Sequence, residues 1–226
     1  MRQGNRLIDF HAHILPNADH GCKSVKMCLN QLEIAKSFDV GTVVATPHFY
    51  PHVHDVESFL ERRERALKSI EGVPQKVGID VIPGAEVQLC IGLDRMEGLE
   101  KLCIKNTNVL LLEIPDMPIS RDMFDTIARL NKKTNVLIAH ADRYTQDVTN
   151  VLLDAGYKIQ LNTDSLFDLR GRRRAKRIID TGLVFALGSD IHGEDKVSYK
   201  HLKASEKYLG DKFPLIQERM EKLLSR

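Results

Sequence analysis

The stretch Leu7-Ile8-Asp9-Phe10-His11-Ala12-His13 decides how this chain is read. It is a short, largely apolar run of the kind that forms a strand buried on both faces, and it ends in two histidines one residue apart. Side chains repeat every two residues along a strand, so both imidazoles leave the same face. Six later runs follow the same plan: TVVATPH (42–48), DVIPGAEVQ (80–88), NVLLLEIP (108–115), NVLIAHAD (135–142), KIQLNTDS (158–165) and VFALGSDIH (184–192). Helical patterns separate them. Val25, Leu29, Leu32 and Ala35 mark the first, and Val56, Phe59, Leu60, Leu67 and Ile70 mark a second that should stop at Gly72. Met123, Ile127 and Leu130 mark another. No Pro/Gly/Ser-rich linker or tandem repeat interrupts this alternation, so residues 1–226 are expected to form one parallel α/β domain.

Alternation alone fits an open doubly wound sheet as well as a closed barrel. The titratable residues favour the barrel. Of nine histidines, His11, His13, His48, His140 and His192 fall at the C-terminal ends of the predicted strands, where Glu86, Glu113 and Asp190 join them. In a parallel barrel all those ends meet on one face, whereas an open sheet spreads them along a line. Neutral imidazoles with carboxylates are ligands for Zn²⁺, Mn²⁺ or Fe²⁺. Eight such groups exceed the needs of one ion, so two or three ions sharing bridging ligands are expected. His52 and His54 should lie in a loop near the mouth, and His201 on the surface of a late helix.

Composition removes several other classes. Thirty-three basic and 31 acidic residues leave a formal charge of +2, which argues against a dedicated nucleic-acid or membrane-surface binder. No apolar run approaches the ~18 residues that would span a bilayer. The opening MRQGNRLIDFHAH has no apolar segment of a secretory leader, so a cytoplasmic protein is expected. Cys22, Cys28, Cys90 and Cys103 form no CxxC pair and read as reduced thiols. The segment CIGLDR, from Cys90 to Arg95, is one residue short of the Cys-to-Arg loop of thiol phosphatases and lacks its glycines, so a cysteine nucleophile is disfavoured. The run RGRRRAKR (170–177) reads as a solvated helix face, because no aromatic residues interleave it for base stacking.

Six motifs, DFHAHILPNADHG, ATPHFYP, PGAEV, LLEIP, IAHADRY and GSDIH, occur in this order between residues 9 and 192. Together they resemble the PHP (polymerase and histidinol phosphatase) superfamily, and more narrowly the metal-dependent protein-tyrosine phosphatases of bacterial capsule and exopolysaccharide loci. The resemblance implies a distorted seven-stranded parallel (β/α) barrel, TIM-barrel-like, with two or three divalent ions: manganese, or alternatively iron or zinc. It places His11, His13, His48, Glu86, Glu113, His140, Asp190 and His192 on ligand positions, and Arg143 beside the phosphate as the catalytic arginine.

Three departures accompany it. Asp19-His20-Gly21 stands where the family has two acidic residues, so His20 is expected to replace a carboxylate ligand, with Asp19 in reserve. His140-Ala141-Asp142-Arg143 keeps the family's arginine in a changed setting. The arginine that normally follows the last motif is missing, and Lys196 and Lys200 are the nearest cations. The implied reaction is hydrolysis of a phosphate monoester by an activated water, on phosphotyrosine of a protein such as a polysaccharide-export kinase. The alternatives are a histidinol-phosphatase-like or other small-molecule phosphoesterase, and a low-turnover regulatory subunit that binds phosphoprotein.

Overall fold

A computed structural model describes residues 6–225. Residues 1–5, which belong to the N-terminal stretch read above as free of a leader, lie outside the described residues, as does residue 226. In chain order the elements are β1 (Leu7–His13), α1 (Val25–Ser37), β2 (Val40–Ala45), β3 (His48–Phe49), α2 (Val56–Ser69), α3 (Val73–Val77), β4 (Asp80–Pro83) and β5 (Glu86–Gln88). They continue with β6 (Val109–Glu113), α4 (Arg121–Lys133), β7 (Asn135–Ile138), α5 (Gln146–Asp154), β8 (Lys158–Asn162), α6 (Gly171–Asp180), β9 (Val184–Gly188), β10 (Ile191–His192), α7 (Lys196–Leu209) and α8 (Lys212–Leu224). No helix among them is long and apolar enough to cross a membrane.

All seven apolar runs become strands, and every pairing between them is parallel. The α/β class with parallel sheets is therefore as expected. Three of the runs break in two, which gives two sheets ordered β10-β1-β2-β4 and β3-β5-β6-β7-β8-β9 rather than one closed seven-stranded ring. The breaks have local causes. Pro47 has no N–H to give a ladder, so the second run divides between β2 and β3. Gly84-Ala85 separates β4 from β5, and Asp190, at φ 52, turns the chain between β9 and β10. Backbone bonds continue across these gaps: Gly84 N donates to Ala45 O at 2.8 Å, Glu86 N to Pro47 O at 3.1 Å, and Asp190 N to His11 O at 2.8 Å.

The helices start where side chains can satisfy their free amides. Ser24, Asp55 and Ser120 accept from the amides of Met27, Ser58 and Met123 and so cap α1, α2 and α4. Cys28, Leu32 and Ala35 of α1, and Met123, Ile127 and Leu130 of α4, form their buried faces. α2 ends at Ser69, earlier than Gly72 would suggest; Gly72 itself, at φ 80, starts the short α3. Phe10, Leu110, Leu111, Leu112, Ile138, Leu161 and Leu187 are fully buried, with neighbouring residues on opposite faces of their strands, and this core supports the strand ends.

Candidate metal centre

The C-terminal ends of the strands bring His11, His13, His48, Glu86, Glu113, His140, Asp190 and His192 together. Four overlapping sets of donor atoms, each within 4.8 Å of one another, arise from them: His13/His48/His192, His11/Glu86/His140, His11/His13/Asp190 and His48/Glu86/Glu113. Glu86 is the hub. Its Oε2 lies 2.9 Å from His48 Nδ1 and 3.3 Å from both His11 Nε2 and His13 Nε2, while its Oε1 lies 2.6 Å from His140 Nε2.

The arrangement of tautomers shows what these atoms are suited to hold. His11 Nδ1 faces Gln160 Oε1 at 3.1 Å, and His13 Nδ1 faces Asp19 Oδ2 at 2.6 Å. Both partners are acceptors, so each neutral ring carries its proton on Nδ1 and turns the Nε2 lone pair inward. Those two Nε2 atoms are 3.1 Å apart, with Glu86 Oε2 beside them. Lone pairs facing one another at that distance repel unless a cation lies among them. Glu113 Oε2 and His140 Nδ1 are also buried without a hydrogen-bond partner, and Glu86 Oε2 and His48 Nδ1, though 2.9 Å apart, are not aligned to form a hydrogen bond. Buried polar atoms are normally satisfied, so this donor set fits divalent metal ions.

A second layer fixes the donors. Gln160 Oε1 also accepts the His140 amide at 2.8 Å, and Gln160 Nε2 donates to Asn162 Oδ1 at 2.9 Å. Asn162 Nδ2 in turn donates to Asp190 Oδ2 at 2.9 Å. Behind His11, buried Asp9 accepts from the amide and hydroxyl of Ser189 at 2.8 and 2.6 Å, which joins β1 to the turn after β9. Two candidate ligands have left-handed backbone, His140 at φ 28 and Asp190 at φ 52. Such conformations are unfavourable for L-residues and persist where surrounding bonds enforce them. The His140 amide bond to Gln160 and the Asp190 amide bond to His11 O supply that enforcement.

The charges are mutually dependent. Burial opposes ionisation of Glu86, yet His11, His13 and His140 outweigh it and hold its carboxyl well below the usual range. Asp190 is likewise lowered: burial acts against its charge, and His11, His13 and Arg143 overcome it. Burial also works against protonated His13, but Asp19, Asp190 and Glu86 raise it well above an ordinary histidine. Burial and neighbouring His13 push His192 down to about 4, so that ring is neutral at physiological pH. The cluster as a whole demands positive charge, from protons or from metal ions.

His20 is exposed at the mouth and joins none of the four donor sets, although its ring centroid lies 4.7 Å from that of His192 and 5.0 Å from that of His48. Asp19 is the residue in hydrogen-bond contact with the cluster. Arg143 is 55% exposed and reaches Asp190 Oδ2 at 2.5 Å rather than pairing with its neighbour Asp142. Lys196 and Lys200 are exposed on α7. In the turn after β3, His54 Nδ1 accepts the Tyr50 amide and Nε2 contacts Arg62, a structural role, while His52 lies near the Tyr50 ring. His201 is half-buried against Phe167 and bonded to Asp164 at 2.8 Å, so it is less exposed than a surface residue. Within the basic run, Arg174 turns inward and donates to the carbonyls of Asp142 and Tyr144, which brace the loop carrying Arg143. Gln160 and Asn162 were not singled out from sequence; their signal is a pair of polar residues two apart in an otherwise apolar strand.

Fold and site define a parallel α/β protein with a histidine–carboxylate cluster, able to bind metal, at the strand ends. The chain belongs to the family described as capsular polysaccharide synthesis, CpsB/CapC, which matches residues 7–225. CapC of Staphylococcus aureus is 28% identical over 203 residues, covering 82% of this chain and 77% of that protein. The tyrosine-protein phosphatase YwqE of Bacillus subtilis is 24% identical over 232 residues, covering 96% and 91%. A crystal structure from work on YwqE and on CpsB of Streptococcus pneumoniae, described as unique metal-dependent tyrosine phosphatases, superposes with a TM-score of 0.80. It is 22% identical and covers 96% of this chain and 94% of that one, a likeness that establishes the fold.

Proposed function

We propose that this chain is a metal-dependent protein-tyrosine phosphatase, a phosphoric monoester hydrolase whose substrate is a tyrosine-phosphorylated protein such as a polysaccharide-export kinase. The observation that carries this reading is the inward-facing pair of His11 and His13 lone pairs around Glu86, in a member of this family. His11, His13, His48, Glu86, Glu113, His140, Asp190 and His192 would hold two or three divalent ions, with His20 completing the outermost site beside His48 and His192. Manganese is the proposed metal, and iron or zinc the alternatives. Bound ions would supply Lewis acidity toward a water and toward the phosphoryl oxygens.

The protein's own groups do the rest. Asp19 and Gln160 hold His13 and His11 in the tautomer that offers Nε2. Arg143, half in solvent at the edge of the cluster, presents guanidinium donors to phosphoryl oxygens and stabilises their developing charge. No cysteine takes part. We further propose that residues 1–226 act as one cytoplasmic domain, the two sheets being halves of a distorted seven-stranded barrel. Turnover of a phosphotyrosyl peptide beside histidinol phosphate, after chelation and after Mn²⁺ is restored, tests the reading. Metal-dependent hydrolysis of the peptide is expected. Preference for histidinol phosphate would favour the small-molecule phosphoesterase, and metal-dependent binding without turnover would favour a regulatory subunit.

A further inference from the structure

A cavity of about 720 Å³ adjoins the cluster. Glu113, His140 and Arg143 form one part of its lining, and Pro115, Met117, Ile119 and Val148 another. Its walls are tied to the site. The Ile114 amide donates to the Tyr144 hydroxyl at 2.9 Å, and the Tyr144 ring meets His140 edge-on at 5.7 Å. Pro115 and Pro118 stiffen the loop after β6, and the Met117 amide closes a tight turn onto Pro115 O at 2.8 Å. That loop holds Met117 59% exposed beside a charged centre. Large apolar side chains kept at the mouth of a polar site are a recurrent feature of ligand pockets, whose volumes run from about 300 to 1,000 Å³.

We infer that this cavity seats the aromatic ring of an aryl phosphate ester, and that Met117, Ile119 and Val148 favour an aryl over an alkyl ester. The inference rests on the phosphatase reading above and assigns its selectivity to named residues. A phosphate placed at Arg143, beside Glu113 and His140, puts its ester group in the same cavity as the apolar side chains of Pro115, Met117, Ile119 and Val148. There a ring can be buried, and the Met117 thioether can contact its edge. An alkyl ester of serine size carries no ring to bury against the same wall. The volume also leaves room for peptide on either side of the ring.

The test compares a phosphotyrosyl peptide with the phosphoseryl peptide of the same sequence, using wild type, Met117→Ala and Val148→Ala in the metal-loaded protein. Wild type should prefer the tyrosyl peptide. Each variant should lose about tenfold in kcat/KM on that peptide and little on the other, the scale expected when a hydrophobic pocket loses a contact. Equal losses on both peptides, or no loss on either, would overturn the inference. A binding measurement keeps it separate from catalysis. In Zn²⁺-loaded protein with ¹³C-methyl methionine, phenylphosphonate should shift the Met117 signal, assigned through Met117→Leu, and methylphosphonate should not. Absence of an aryl-specific shift overturns the pocket assignment even if turnover is normal. Absence of turnover on both peptides, with the shift present, overturns the phosphatase reading and leaves the pocket in place.

Discussion

Asp19 Oδ2 accepts from His13 Nδ1 at 2.6 Å, and the same oxygen accepts the His48 amide at 3.0 Å. One carboxylate thus sets the tautomer of one candidate ligand and the position of another. Its other oxygen takes the Gly21 amide at 2.8 Å, so its own geometry is fixed. Asp19→Asn can flip an amide N–H toward His13 and lose the tautomer preference. Metal affinity, measured by chelator competition, should fall about 10–100-fold, the usual cost of losing such a supporting contact. His20→Ala should weaken only the outermost ion. Unchanged affinity in Asp19→Asn would remove the supporting role assigned to this residue.

Gln160 carries a comparable load for His11 and for the strained backbone at His140. Gln160→Leu removes the acceptor of a buried amide as well as that of His11 Nδ1. A buried donor left without a partner costs about 1–3 kcal/mol, so urea unfolding should show a loss of that order, together with weaker metal binding. Equal stability of variant and wild type would mean that water or a rearranged side chain takes the place of Gln160.

Arg143 and His140 should separate in their effects. Arg143→Ala leaves Asp190 its bond from Asn162, so metal content should persist while turnover on phosphotyrosine falls on the order of a hundredfold. His140→Ala should lower metal content itself. Full activity of metal-replete Arg143→Ala on both phosphopeptide and small esters would rule out its role at the phosphate.

Gly188 allows β9 to approach β1 closely. A Cβ added there would meet His11 Cβ at 2.6 Å and Gln160 Nε2 at 2.8 Å, too close for either neighbour. Gly188→Ala should therefore displace His11, lower metal affinity and reduce thermal stability by an amount in the overpacking range of about 1–3 kcal/mol. Wild-type Tm and metal content in this variant would contradict the packing described here.

The cysteines should be poor nucleophiles. Burial pushes the Cys28 thiol up to about 12 and the Cys103 thiol up to about 11. The thiolate is the reactive form, so its fraction rises as pH climbs toward those values and is very small at pH 7. Iodoacetamide at pH 7 should leave both residues unmodified by mass spectrometry, should label them faster at pH 9, and should not abolish phosphatase activity. Rapid labelling at pH 7 that tracks loss of activity with metal retained would reinstate a thiol mechanism.

The two-residue repeat of side-chain direction along Leu7–His13 and the recurrence of histidines and carboxylates at the ends of apolar runs were enough to place eight groups on one face of a parallel α/β fold. The helix starts at Ser24, Asp55 and Ser120, which were not singled out from sequence, are local features as well, because a capping side chain reaches only its own first turn. Other features depended on neighbours distant in sequence. Arg143 pairs with Asp190 rather than with adjacent Asp142, and Asp19 rather than His20 is bonded to His13. Gln160 and Asn162 matter because β8 lies beside β7 and β9 and its register sets them against His140 and Asp190. The three broken strands likewise depend on Pro47, on the turn at Gly84-Ala85 and on the left-handed Asp190 acting within a sheet already assembled. By itself the sequence determined which residues face the site, since side-chain direction follows from backbone periodicity. Only the tertiary structure decided which atoms touch there, since strand order, register and a few strained dihedrals set distances that no periodicity encodes.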